Sequence, residues 1–289
     1  IVVSLGGVYQ NEQPGFKLPF FKLYNIMIYS LFFGDALNQL YSSTVVRERN
    51  KGETEDLFNS YMNRAEKIIH ENKHKKMLAL LENAVKDFNK ISVFEDKKFE
   101  KIGLLGEIFV KYNNYGQAHI TEWLREQGFE VVVPPMIDFF MQAFVNRNIN
   151  HKNGIVHLGK INQKLAPLIY GFVNKKLEKF EKITRKSRFY RKHETIFEIA
   201  LHAEEIIDLS NQFGEGWMIA GEAANFARHG INKVVCVQPF GCIANHIVAK
   251  GIERRIKQFY PQMNLLFLDI DGGMAEVNLQ NRLKFLIEQ

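Results

Sequence analysis

The sequence contains few cysteines: Cys236 and Cys242 are the two among 289 residues. Two cysteines cannot form the dense disulfide framework of small secreted domains, so the composition favours a reducing compartment. The amino-terminal stretch also lacks the apolar core and small-residue cleavage site of a secretory signal peptide. We therefore expect a cytoplasmic protein.

Long hydrophobic runs are absent as well. The most apolar stretch, residues 26–33, is far shorter than the roughly 20 residues that a membrane-spanning helix needs, and Asn25 and Asp35 flank it. The sequence shows neither a repeat of solenoid period nor a low-complexity tract. These absences predict a soluble globular protein without a membrane partner.

The length and composition permit a large core. With 289 residues, 46% of them apolar, the chain suggests about two domains at a prior of roughly 150 residues each. The net charge of +6 is modestly basic and is compatible with an anionic partner, but the 38 basic residues are scattered among 32 acidic ones. We therefore predict no nucleic-acid partner.

Short apolar runs alternate with helical patterns along most of the chain. The runs at residues 101–108, 130–133, 233–237 and 265–268 resemble strands that are buried on both faces, and amphipathic segments lie between them. The order strand, helix, strand is typical of a parallel sheet. The pattern predicts an α/β fold, a Rossmann-like parallel sheet with helical segments and a helical insertion.

The domain organisation follows from these patterns. Residues 99–289 are predicted to form the Rossmann-like lobe, with the helical insertion at about 151–210, whose basic stretch is interpreted as a solvated helix face. Residues 1–98 are interpreted as the remnant of an upstream α/β lobe plus a helical segment. Residues 1–6 resemble a strand and the first residue is not methionine, so we expect a segment of a longer protein.

Cys242 is the residue best placed for chemistry. It precedes a predicted helix at residues 245–260, where unpaired backbone N–H groups stabilise a thiolate, as a metal ligand or a nucleophile requires. His246, one turn later, is either its base or a capping, solvent-facing histidine. Cys236 lies within an apolar strand and is interpreted first as a small buried hydrophobe, because C-x5-C is not a recognised metal-binding spacing.

Three carboxylates follow predicted strands. Asp269 and Asp271 adjoin Gly272 and Gly273, so they could bind a metal or a ribose, or form a turn that caps the last helix. Glu107 ends the first strand of the lobe and would face the same crevice as Cys242 if the strands share one sheet. We retain all three as candidate cofactor-binding residues.

Four stretches together resemble one protein family. They are residues 34–57, 103–140, 214–252 and 268–287, and the most specific motif is PFGC-x-x-NH at residues 239–246. The chain resembles the dehydratase-like part of large acyl-CoA dehydratase activase-related proteins. These are similar to 2-hydroxyglutaryl-CoA dehydratase subunits, benzoyl-CoA reductase subunits and double-cubane cluster proteins.

That resemblance implies two Rossmann-like lobes holding an iron–sulfur cluster through cysteine thiolates from both lobes. It also implies low-potential electron transfer, driven by ATP hydrolysis in a separate activase domain, to an acyl-CoA dehydration or another difficult reduction. Cys242 is the ligand expected by motif position, and Cys236 is a further candidate. The implied partners are the upstream domains, the ATPase domain and an acyl-CoA substrate, and a homodimer is allowed. Because the other cysteines would lie upstream, the isolated chain is expected to be inactive.

Two alternatives remain open. In the first, the chain is a non-catalytic docking module for the ATPase domain, with the helices of residues 54–89 and 160–207 as contact surfaces. In the second, the chain is a lobe that binds CoA or a nucleotide without metal.

Overall fold

The computed structural model describes residues 20–157 and 159–288. The predicted strand at residues 1–6 lies outside the described residues. The helices are α1 (Phe20–Thr44), α2 (Glu53–His70), α3 (Lys76–Phe88), α4 (Ile108–Tyr112), α5 (Ile120–Glu126), α6 (Met136–Lys152), α7 (Lys160–Thr184), α8 (Ile196–Glu204), α9 (Trp217–Arg228), α10 (Lys250–Phe259) and α11 (Glu276–Glu288). The strands are β1 (Lys101–Gly106), β2 (Glu130–Val132), β3 (Lys233–Pro239) and β4 (Asn264–Ile270).

The four strands form one parallel sheet in the order β2-β1-β3-β4. Strand β3 is central, and its residues 234–238 are buried, as expected for a strand covered on both faces. The prediction of an α/β fold with a Rossmann-like parallel sheet is therefore confirmed. Helices α7 and α8 lie between β2 and β3 in the chain.

The sheet separates two apolar layers. Alternate residues of β3 face opposite sides: Val235 and Val237 pack with residues of α5 and α11, whereas Val234 and Cys236 pack with the larger helical layer. That larger layer contains α1, α3 and α7, whose side chains Phe32, Leu81 and Phe180 are buried in it. Among the helices of the described residues, none combines the length and apolarity needed to cross a bilayer.

Helix α1 continues through Gly34 and Asp35, which follow the apolar stretch of residues 26–33. An added Cβ at Gly34 would meet nothing within 4 Å. The Asp35 carboxylate accepts hydrogen bonds from Met136 N at 2.9 Å and Ile137 N at 3.1 Å. Asp35 therefore caps the first turn of α6, a different helix, instead of ending its own.

Strand β2 is held at its start by Glu130, which is buried at the edge of the sheet. One carboxylate oxygen accepts from Arg47 Nη2 at 2.6 Å, and the other pairs with Arg191. Arg47 follows α1 and Arg191 precedes α8, so two distant segments converge on this strand. The arrangement ties the helical layer to the sheet.

The predicted helix at residues 245–260 begins differently from expectation. Residues 244–249 form a π-helical segment (Ala244–Ala249) that runs directly into α10. The wider π turn is frequent at functional sites. It directly follows the loop that carries Cys242.

Candidate functional site

The carboxyl ends of β1 and β3 mark the point where the strand order changes direction. From β1 the chain moves to β2 on one side, and from β3 it moves to β4 on the other. Open α/β sheets bind ligands in the crevice outside such a switch point. The residues of this crevice are therefore the first candidates for a functional site.

Cys242 lies on the loop that leaves β3, with its thiol partly exposed and in no disulfide. Its N–H donates to Pro239 O at 3.2 Å, and its carbonyl accepts from His246 N at 2.9 Å. Asn245 Nδ2 donates to Cys242 Sγ at 3.3 Å. This contact holds the sulfur against the π-helical segment that carries Asn245.

Both ring nitrogens of His246 contact groups other than the thiol. Its Nδ1 lies 3.1 Å from the carbonyl oxygen of Cys242, and its Nε2 lies 3.1 Å from Asp269 Oδ1. The side chain is thus oriented by Asp269, a partner that the sequence did not indicate. In this geometry His246 holds the loop against β4 and has no contact with Sγ that a base would need.

Asp269 connects β4 to this loop. It accepts from Gln238, pairs with His246, and pairs with Lys250 Nζ at 3.0 Å. Burial alone would raise the pKa of Asp269, but the hydrogen bonds from Gln238 and Lys250 outweigh it and hold the pKa below its usual value. Asp269 is therefore a fixed negative charge at the crevice.

The other candidate carboxylates have local partners. Glu107 accepts from Val110 N at 2.9 Å and caps α4. Asp271 Oδ1 accepts from Gly273 N at 2.7 Å within a turn. Both contacts are those of capping and turn residues, and neither carboxylate joins the network of Asp269.

Cys236 occupies a different environment from Cys242. It is 1% exposed and packs in the larger helical layer. Burial raises the pKa of the Cys236 thiol to about 12. A thiol in this setting stays protonated at neutral pH.

The crevice also has buried polar atoms that make no hydrogen bond among the described residues, and exposed apolar side chains. Gln238 Oε1 and Asn245 Oδ1 belong to fully buried residues and accept no hydrogen bond within the described chain. Phe240, Ile243 and Ile247 are 73, 71 and 68% exposed on either side of Cys242. We call these three side chains the apolar rim.

An iron–sulfur cluster needs several thiolates. Among the described residues, no group of three or more His, Cys, Asp or Glu side chains is placed to hold a metal ion. Cys242 alone does not complete a ligand set. The described residues therefore do not by themselves fit a cluster.

A second candidate site lies beside the edge strand β2. A cavity of about 330 Å³, which we call the β2 cavity, is lined by residues of α1, β2, α6, the segment before α8, and α9. Its titratable groups include Asp35, Asp138, His193 and Glu222. His193 Nε2 lies 2.9 Å from Asp138 Oδ1. The oxygen Oδ1 of Asn225 in the cavity wall is buried and has no hydrogen-bond partner among the described residues.

Two carboxyl groups of the β2 cavity, those of Asp35 and Glu222, have raised pKa values. Burial raises the pKa of Asp35 to about 6 against the opposing hydrogen bonds from Met136 and Ile137. Burial likewise raises the pKa of Glu222 to about 7, although Lys111 Nζ lies 3.3 Å away and lowers it. A carboxyl group that titrates near neutral pH can donate or accept a proton in this cavity.

His193 makes the stability of the fold depend on pH. Burial alone would lower its pKa, but Asp138 outweighs burial and raises the pKa from 6.5 to about 9. Its stabilising contribution is therefore fully present below pH 6.5 and is lost as the pH rises through 9. We expect the wild type to lose about 3 kcal/mol of unfolding free energy across this window.

Urea unfolding of the wild type and of His193→Gln at a series of pH values measures this loss. The variant should lack the alkaline part of the pH dependence. Parallel profiles for the two proteins would show that the Asp138–His193 pair carries no differential protonation.

The sequence indicated Cys242 but missed the β2 cavity. One signal was present: Asp138 and Glu222 interrupt apolar stretches, with Ile137 and Phe139 flanking the first. A buried acid within an apolar helix face indicates a partner or a function. The partner could not be identified, because it comes from another part of the chain.

No protein-family model matches the chain, and neither the curated proteins nor the solved structures include a significant match.

Proposed function

We propose that the chain is the carboxyl-terminal part of an iron–sulfur, low-potential electron-transfer protein of the 2-hydroxyacyl-CoA dehydratase/activase type. In this proposal Cys242 supplies one thiolate, and upstream residues supply the others. A separate ATPase domain drives the electron transfer, and the protein acts in a reducing cytoplasm. The reaction would be an acyl-CoA dehydration or reduction by the full-length protein.

The observation that carries the proposal is the environment of Cys242. Its thiol is free, partly exposed and bonded by Asn245, at the carboxyl end of the central strand. The apolar rim beside it is a surface that another lobe could cover. Such a lobe would exclude water from the sulfur and contribute further ligands. The motif resemblance at residues 239–246 supports the same assignment.

Replacing Cys242 by serine is expected to remove most bound iron after anaerobic reconstitution of the full-length protein. Oxygen of serine is a poor substitute for a thiolate in a cluster. Iron content and visible absorption are measured for the wild type, Cys242→Ser and the matched control Cys236→Ala. The control should keep its iron because Cys236 is buried and protonated. Equal cluster content in the wild type and Cys242→Ser would refute the assignment.

The β2 cavity supports a second candidate function, binding of a small molecule without metal. Its volume of about 330 Å³ lies at the lower end of ligand sites, which typically measure about 300–1,000 Å³. It could take the acyl end of a CoA ester but only a part of the whole molecule. Calorimetry with acetyl-CoA on the wild type and on Asn225→Ala tests this candidate. The absence of heat, or equal heat from both proteins, would remove it.

A further inference from the structure

A groove on the helical layer carries a concentration of positive charge. It lies between α1, the turn from α2 to α3, and α7, and its volume is about 690 Å³. Five lysines line it: Lys75, Lys175, Lys176, Lys179 and Lys182. The one carboxylate in its wall, Glu178, accepts a hydrogen bond from Asn174 at 2.8 Å. We call this the α7 groove.

Lys176 is the exceptional member of the set. It is 8% exposed, although the other four lysines are exposed. Its Nζ donates to Asn25 Oδ1 at 2.6 Å and lies 3.9 Å from the centre of the Phe172 ring. Within the described part of the chain, no carboxylate lies within 4 Å of any of the five ammonium groups.

Burial of an ammonium group without a counter-ion costs free energy, because neither an ion pair nor neutralisation offsets the loss of hydration. The surroundings reflect that cost. Burial, together with Lys179, lowers the pKa of Lys176. Burial, together with Lys75 and Lys176, lowers the pKa of His74, whose buried Nδ1 has no partner in the described chain. The groove therefore has a positive potential that its own residues do not balance.

The shape of the groove narrows the class of anion that it fits. Its five lysines come from two elements, so several negative charges linked in one ligand would contact them better than a single small anion. Phe172, 55% exposed in the wall, offers an aromatic face beside the buried ammonium. Linked phosphates with an attached planar base would use both features.

We propose that the α7 groove binds a nucleoside triphosphate or a related oligophosphate, with Lys176 as the central phosphate contact and Phe172 as a support for the base. This site is separate from the crevice of Cys242 and from the β2 cavity. The negative charge of the phosphates compensates the positive charge of Lys176. No covalent step is involved.

Titration calorimetry at low ionic strength with ATP and with inorganic tripolyphosphate tests the proposal. Both should bind the wild type, and Lys176→Met should weaken each by about tenfold or more, because one central ion pair is lost. Lys186→Met, at an exposed position outside the groove wall, is the matched control and should bind as the wild type does. Equal affinities of the wild type and Lys176→Met for both ligands would overturn the proposal.

Three further measurements make the result specific. Phe172→Ala should weaken the binding of ATP but not of tripolyphosphate, because only ATP has a base that can contact the ring. An equal loss of affinity for both ligands would show that the ring does not contact the base and that the groove recognises the oligophosphate alone. Asn225→Ala should leave ATP binding unchanged, since that residue lines the β2 cavity. A single-stranded oligonucleotide that binds more than about tenfold tighter than ATP would overturn the proposal in favour of nucleic acid.

The fold of the variant is checked separately. Lys176→Met removes an uncompensated buried charge, so its thermal unfolding temperature without ligand should equal or exceed that of the wild type. If the variant unfolds at a lower temperature, Lys179→Met decides the matter. Lys179 is exposed in the groove wall, and its substitution should weaken tripolyphosphate binding by about threefold without altering stability.

Discussion

Replacement of Lys111 by methionine is expected to lower the unfolding free energy by about 3 to 5 kcal/mol at alkaline pH. Lys111 and Glu222 are 3 and 4% exposed, and Lys111 Nζ lies 3.3 and 3.4 Å from the two carboxylate oxygens. Without the ammonium group, the Glu222 carboxylate stays buried with no opposite charge. The large loss of unfolding free energy therefore comes from the unpaired carboxylate of Glu222.

The pH dependence identifies this cause. Glu222 has a pKa raised from 4.5 to about 7, so its protonated form is accessible in the fold. At mildly acidic pH the lone carboxyl group of Lys111→Met is neutral, and the loss of stability should shrink. The double variant Lys111→Met/Glu222→Leu removes both charges and should recover most of the loss.

Guanidinium unfolding curves at several pH values measure these differences. The exposed pair Lys257–Glu253 provides the matched control, because Lys257→Met should change stability by less than about 0.5 kcal/mol. A loss for Lys111→Met that is the same at every pH would show that packing, and not the unpaired carboxylate, dominates.

Gly106→Ala is expected to destabilise the fold by at least about 4 kcal/mol, since it combines overpacking with backbone strain. Gly106 ends β1 with a φ of +121°, a region that other residues rarely adopt. A Cβ at this position would lie 1.8 Å from Val237 O, which belongs to the neighbouring strand β3. The backbone has to move, and the crevice at the switch point moves with it.

Circular dichroism on heating detects the effect, with Gly128→Ala as the control. Gly128 also has a positive φ, +88°, but a Cβ there would meet nothing within 4 Å. The control therefore carries the conformational strain alone and should lose about 1 to 2 kcal/mol. Equal destabilisation by both substitutions would show that the close approach of β1 to β3 contributes nothing to the loss of stability in Gly106→Ala.

The sequence predicts the sheet well because local chemistry determines its strands. Residues 234–237 are apolar and mostly β-branched, which suits a strand covered on both faces. The sequence does not predict the π-helical segment, because the residues at 245–260 suit an α-helix equally well.

The candidate sites differ in how far they could be predicted. Cys242 is recognisable because its signal, a thiol between a strand and a helix, is contiguous in sequence. Asp35 and Glu222 of the β2 cavity lie 187 residues apart in the sequence, and only tertiary packing brings them together.

Lys176 represents an intermediate case. The interpretation of the basic stretch as a solvated helix face holds for the exposed lysines beside Lys176. Yet Lys176 lies three residues after Val173 and four before Phe180, both buried, so helical periodicity placed it on the inner face. Helical periodicity therefore predicts a buried side chain at position 176, whereas a lysine is usually exposed, and the two indications conflict.

We expect the contacts of Arg47 and Arg191 with Glu130, together with α1, to limit self-association through the edge strand β2. An open sheet exposes backbone N–H and C=O groups along its outer strands, and these can recruit a strand from another chain. Strand β2 is three residues long, α1 packs beside it, and the arginines fix its first residue. A chain cut near residue 98 would lose α1 and Arg47, and β2 would then become a template for aggregation.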